Sequence, residues 1–279
     1  MPDGPDRWQG AAPAPSLPRI EAIDTAYDDT LAFAEQARAV AVERIERALA
    51  AARTDRLSEA AFRLAHARSA LEGLRPEKLE PRRGLAGLFD SRKGRLRRFR
   101  EAYRLTAASL SDMTGDLSER VKGPARRAGA LDGVWAEVRD ALVDLDAHLL
   151  AATRHLPGPA LADGATAHPL ETRKAALHAS RAAALSALPL IRAAQNADAR
   201  AAEAFSHSGE GVFLWRADWN EALGLSGKRP KKVRPDRERL LGPRDELLAR
   251  IERALAELTA SRARRAEVEG RMAELGRPL

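Results

Sequence analysis

The sequence contains no cysteine, which excludes disulfides, thiolate nucleophiles and cysteine-ligated zinc or iron–sulfur sites. Aromatic residues make up only 4% of it, so bulky core side chains are scarce and one thick globular core is disfavoured. No run approaches the roughly 20 uninterrupted apolar residues that a membrane span needs. The best candidate, 182–194, is cut by Pro189 and Arg192. The opening residues carry Pro2, Pro5, Pro13, Pro15 and Pro18 with Asp3 and Asp6, and lack both the basic start and the apolar centre of a signal peptide. A disordered tail is expected over 1–18. A phosphate loop, a dinucleotide glycine signature, a nucleophile elbow and a His-Glu-x-x-His metal motif are all missing. With no nucleophile–base set to start from, the expectation is a protein that is not an enzyme and has no cofactor, metal or small-molecule substrate.

What the chain has in quantity is charge, 31% of residues, set among alanine and leucine. These residues lose least on entering a helix and are typical of coiled coils. The net charge of +7 and pI near 10.2 favour contact with polyanions such as nucleic acid, anionic lipid or an acidic partner.

Apolar residues recur at three- and four-residue steps, the stripe of a helix. Ile20, Ile23, Tyr27, Leu31, Ala34, Ala41, Ile45, Ala48 and Ala52 form one seam, and Leu57, Ala61, Leu64, Ala65, Arg68 and Leu71 form a second that stops at Gly73. After a charged loop holding the pair Leu88-Phe89, a third runs through Leu96, Phe99, Tyr103, Thr106, Leu110, Met113 and Leu117, and Gly123-Pro124 is expected to end it. The clearest seam is Leu131, Trp135, Val138, Leu142, Leu145, Leu149, Ala152 and Leu156. The short connection predicts an antiparallel hairpin between these last two. A further helix is expected over 170–206 through Leu170, Leu177, Leu185, Leu188, Ile191 and Gln195, kinked at Pro189 and interrupted at Gly209-Glu210-Gly211. The last helix uses Leu241, Leu248, Ile251, Leu255 and Leu258, turns polar at Arg262, Arg264 and Arg265, then resumes at Val268, Met272 and Leu275. The predicted fold is therefore all-α, an elongated bundle of long antiparallel coiled-coil-like helices. Its parts are the tail 1–18, a bundle over 19–227, a basic linker over 228–235 and a C-terminal helix over 236–279.

Within that bundle, His168-Pro169-Leu170, Arg173, Leu177, Arg181, the run Pro189-Leu190-Ile191-Arg192-Ala193-Ala194-Gln195-Asn196, Leu214-Trp215 and Ala222-Leu223-Gly224-Leu225 form a spaced pattern. Upstream stand Pro76, Leu79, Leu88-Phe89, Phe99, Tyr103, Leu117, Trp135, Leu142, Leu145-Asp146 and Leu149. This pattern over 76–225 resembles the bacterial toxic-anion (tellurite) resistance family, the TelA-like proteins. Asp90 stands where that family has glycine, and 228–279 does not match its long C-terminal helix. The resemblance implies an all-helical cytoplasmic accessory protein linked to resistance to tellurite and other stresses, and implies no reaction.

Several residues are candidates for contact with an anion or partner. Arg92, Lys93, Arg95, Arg97, Arg98, Arg100 and Arg104 face a single acid, Glu101, and wrap the exposed directions of one helix start. Their placement opposes the helix dipole. Lys231 and Lys232 belong to the second basic run. Arg192 could hold an oxyanion. Gln195 and Asn196 could offer amides beside a carbonyl freed by Pro189, or fix helix register across the seam. His148, His155 and Asp144 could share a helix face as metal ligands or stand solvated beside the seam. Phe213, Trp215 and Trp219 could anchor a core or stack nucleic-acid bases. Phe89, Phe99, Tyr103, Trp135, Pro189 and Trp215 are the expected structural anchors. Partners are expected through the helical seams, as a protein or a second copy, and through the basic runs, as nucleic acid or an anionic membrane. The expected location is the cytoplasm, with the basic runs able to hold the chain at the inner membrane surface.

Overall fold

The computed structural model describes residues 13–25, 32–52, 57–80, 91–156, 169–227, 230–234 and 236–276. Among these the protein is all-α: α1 (Leu17–Thr25), α2 (Glu35–Ala52), α3 (Leu57–Gly73), a 3-10 turn (Pro76–Leu79), α4 (Arg92–His155), α5 (Pro169–Ala222) and α6 (Arg237–Gly276). Leu17 and Pro18 open α1 rather than closing the tail, because proline is tolerated in a first helical turn. Phe89, the 81–90 loop around it and His168 lie outside the described residues.

The chain forms two compact units. One comprises 1–54, 127–196 and 264–279, the other 55–126 and 197–263, so α4, α5 and α6 each contribute to both.

In the first unit, α2, α4, α5 and α6 share a core of Ile45, Ala48, Leu131, Val138, Leu142, Ala187, Ile191, Val268 and Met272. Leu145, Leu149, Leu170 and Leu177 continue it, with Phe33. The α4–α5 pairing is antiparallel: Arg181 bonds Asp146, whereas further along α5 Arg192 bonds Asp132. Alanines dominate the α2 side, which brings backbones close but buries little area per residue; each CH₂ removed from water adds about 0.8 kcal/mol. Arg265, buried in the α6 seam, donates to the Ala52 carbonyl at 2.7 Å and so caps α2.

In the second unit, α3, α4, α5 and α6 surround Leu64, Leu71, Phe99, Tyr103, Leu110, Leu117, Phe205, Trp215, Trp219, Leu247 and Leu258. Four aromatic rings interlock. Tyr103 lies 5.3 Å from Trp215 and 5.5 Å from Trp219, Trp219 lies 5.7 Å from Phe99, and the two indoles are 5.2 Å apart. Such pairs add about 0.5–1.5 kcal/mol each beyond area burial.

Four sequence expectations are corrected. Gly123-Pro124 does not end a helix and no hairpin forms there; α4 runs unbroken through both residues. The apolar phase explains this, because Leu117 and Leu131 are two heptads apart and the stripe never changes face. Each half of α4 also finds its partners in other helices, so neither needs the other. Gly209-Glu210-Gly211 does not interrupt α5. A Cβ at Gly211 would lie 3.1 Å from Leu247 Cδ1 and 2.7 Å from Arg250 Cδ, so the glycine admits α6 at close range. Pro189 sits inside α5 on its exposed side, and is no buried anchor. The carbonyl it orphans belongs to Leu185, itself 41% exposed and outside the seam, where water can bond it. In α6 the seam keeps the expected Ile251 and Leu258 but uses Leu240, Leu247 and Ala254 where Leu241, Leu248 and Leu255 were expected, and where it turns polar it does so through buried Ser261 and Arg265.

Candidate anion-binding groove

The start of α4 is fixed by Ser91, whose Oγ accepts the Gly94 N–H at 3.1 Å, a side-chain N-cap. Phe99 and Tyr103 then turn inward to the tryptophans, which obliges the residues between them to point out. At the far end of α5 the chain reverses through Gly224, at φ 65°. Leu225 N–H bonds the Asn220 carbonyl and Gly224 N–H the Glu221 carbonyl, the paired bonds of a Schellman turn. Only glycine fits. Its φ is left-handed, and a Cβ would meet Val233 Cγ1 at 2.8 Å and the Lys231 carbonyl at 3.1 Å.

Beyond that turn the extended stretch 230–234 folds back onto α4. Lys231 N–H donates to the Gly224 carbonyl at 2.9 Å. Arg100 donates from Nε and Nη2 to the Leu223 carbonyl at 2.9 and 2.5 Å, and from Nη2 to the Lys231 carbonyl at 2.8 Å. Burial and the neighbouring Arg104 cation both push the Arg100 pKa down.

The result is a groove of about 1190 Å³ between α4 and the 230–234 stretch. Arg92, Lys93, Arg97, Arg100 and Arg104 line it from α4, and Lys231, Lys232 and Arg234 from the other wall. Among the described residues Glu101 is the only acid that lines it, and Leu96, Leu105, Pro230 and Val233 are its apolar lining. Elsewhere arginines are mostly neutralised: Arg173 meets Glu35 at 2.6 Å, Arg47 meets Glu137 at 2.6 Å and Arg63 meets Asp116 at 2.8 Å. By contrast Arg92, Lys93, Arg97, Arg104, Lys231, Lys232 and Arg234 make no ion pair among the described residues. Gathering so many like charges is unfavourable in itself, and an anion in the groove would relieve it.

The structure thus divides the predicted contact residues. Arg97, Lys231 and Lys232 converge on the groove, while Arg95 and Arg98 leave the same helix in other directions. Arg192, Gln195 and Asn196 belong to the other unit. There Arg192 bonds Asp132, donates to Gln195 Oε1 at 2.5 Å and lies 4.6 Å over the Trp135 ring. Gln195 is buried and its Nε2 donates to the Ala128 carbonyl at 2.9 Å, so it is the register-fixing amide. Asn196 is exposed beside it. The Gln195 amide and the Arg192 guanidinium hold the Asp132 carboxyl below its ordinary range.

The geometry also places the aromatic and histidine candidates. Trp215 and Trp219 are 1% and 0% exposed, so they anchor the core and cannot stack bases, whereas Phe213 is 72% exposed and outside their cluster. His148 bonds the carbonyl of Asp144 in its own helix at 2.8 Å, and His155 approaches Asp24 at 3.3 Å. Among the described residues no group of three potential ligands is placed to hold a metal ion, and no helix is long and apolar enough to cross a membrane.

Sequence reasoning missed the role of Arg100, which a charge count cannot separate from its neighbours. It also missed that the two basic runs share one site, because the contact of Phe99 with Trp219 that brings their elements together is made only in the fold. Compared with known proteins, the chain matches no family model, no curated protein and no solved structure.

Proposed function

We propose that this protein is a non-enzymatic helical accessory protein that binds an anionic partner in the groove between the start of α4 and residues 230–234. The observation that carries this reading is the convergence, from two segments far apart in sequence, of seven cations that make no ion pair among the described residues on one concavity lined there by a single acid. The site has no convergent buried donors of the kind a small substrate needs, and its cations stand on long exposed stems, which favours an extended anionic surface over a discrete ligand.

The test is titration of the intact chain with inorganic polyphosphate across a range of ionic strength. Affinity should fall steeply with salt, and Arg97→Ala and Lys232→Ala should each lower the log–log slope by about 1. No binding at low salt, or slopes identical to the parent chain, would reject the groove.

The resemblance over 76–225 supports setting this binding role within tolerance to tellurite or envelope stress. Deleting the gene and growing cells on tellurite tests that setting, and unchanged tolerance would count against it.

A further inference from the structure

Leu105 belongs to two grooves at once. On one side it closes the basic groove; on the other it lines a second concavity between α3 and α4 together with Phe62, His66 and Met113. Phe62 is 73% exposed and Leu105 is 71% exposed, so two large apolar side chains stand out from adjacent helices at the lip of a strongly cationic surface. Isolated exposed leucines are ordinary. A protruding Phe–Leu pair bordering unneutralised Lys and Arg is the arrangement by which peripheral proteins engage a charged bilayer, apolar tips entering the interface while cations meet headgroups.

Resting on the groove reading above, we infer that the anionic partner is the surface of a phospholipid bilayer carrying anionic headgroups, with Phe62 and Leu105 inserted at headgroup level. Three features favour lipid over nucleic acid. Among the described residues no aromatic ring lines the basic groove, so these residues offer unpaired bases no stacking platform. Half-buried Leu96 and Val233 give the groove apolar lining, which suits acyl chains better than phosphodiester. The protruding pair gains from insertion into hydrocarbon and gains nothing from a polyanion in water. Of the acids beside the pair, Glu59 is held by Arg63 at 3.3 Å, which leaves Asp112 in the second concavity and Glu101 in the groove against seven cations.

The test uses the full chain with vesicles of phosphatidylcholine alone and of phosphatidylcholine mixed with phosphatidylglycerol. The chain should float with the anionic vesicles only. Arg97→Glu with Lys232→Glu should weaken that binding by about a hundredfold. Phe62→Ser should weaken vesicle binding by about tenfold or more and leave polyphosphate affinity unchanged, because Phe62 lines only the second concavity; the site is exposed, so circular dichroism should show an unaltered fold. Because the chain has no cysteine, Leu105→Cys can carry a single environment-sensitive dye, which should brighten on anionic vesicles. Binding of polyphosphate or duplex DNA without binding of anionic vesicles would overturn the lipid inference and leave the groove standing, as would vesicle binding indifferent to Phe62→Ser. Failure to bind any polyanion would remove both.

Discussion

Arg100 reaches from α4 to hold the Leu223 carbonyl with two donors and the Lys231 carbonyl with one, so a single guanidinium caps α5 and pins the second wall of the groove. A lysine cannot replace that fork. Arg100→Ala leaves two carbonyls without their donor, and we expect a loss of about 1–3 kcal/mol in urea unfolding. Arg100→Lys should recover the charge but little of the stability. Equal stability of the parent chain and Arg100→Ala would show that the clasp contributes nothing.

Glycines in the long helices should respond in opposite directions. Gly129 has nothing within 4 Å of an added Cβ, so Gly129→Ala should raise stability by about 0.5–1 kcal/mol. Gly211→Ala must push against Leu247, a buried core residue, and should lose that gain. Gly224→Ala adds left-handed strain of about 1–2 kcal/mol to a contact with Val233. Thermal melts of the three variants check the order.

Tyr103 sets an alkaline limit. Its hydroxyl lies 3.2 Å from the Arg216 carbonyl and 3.0 Å from Asn220 Oδ1, and burial pushes its pKa up from 10.0 to about 12. The folded pKa is raised, so this contribution to stability is complete below the unfolded value and is lost as pH rises through the window from 10.0 to about 12. Tyr103→Phe should flatten that limb of the stability–pH curve. A curve with the same alkaline fall in the variant would assign it to another group.

Asp132 works in the opposite sense. Its carboxyl is held low by Gln195 and Arg192, so its contribution is present above the unfolded carboxylate range and lost as pH falls through the lower folded value. The side chain is 60% exposed, which limits the effect to below about 1 kcal/mol. Gln195→Ala, which strips the Ala128 carbonyl of its donor, should cost more, about 1–3 kcal/mol. Denaturation of Asp132→Asn and Gln195→Ala at neutral and acid pH separates the two.

The helical fold was legible from the three- and four-residue spacing, and Phe99, Tyr103 and Trp215 are the core anchors their seams predicted. What misled was treating glycine and proline as punctuation. In helices of 64 and 54 residues packing on neighbours outweighs one lost hydrogen bond, and the unbroken phase from Leu117 to Leu131 outranked Pro124. The α6 seam was misread by one position because Leu240-Leu241 and Leu247-Leu248 each offer two leucines, and only packing chooses between them. The two basic runs were visible separately. Their meeting was not, since it depends on the turn at Gly224 and the reach of Arg100.

The central claim, that residues 92–105 and 230–234 form one anion-binding site, is tested most directly by hydrogen–deuterium exchange of the intact chain with and without polyphosphate. Exchange should slow in both segments together, at the same ligand concentration, with the first unit unaffected. Protection of only one segment, or protection confined to the first unit, would contradict it.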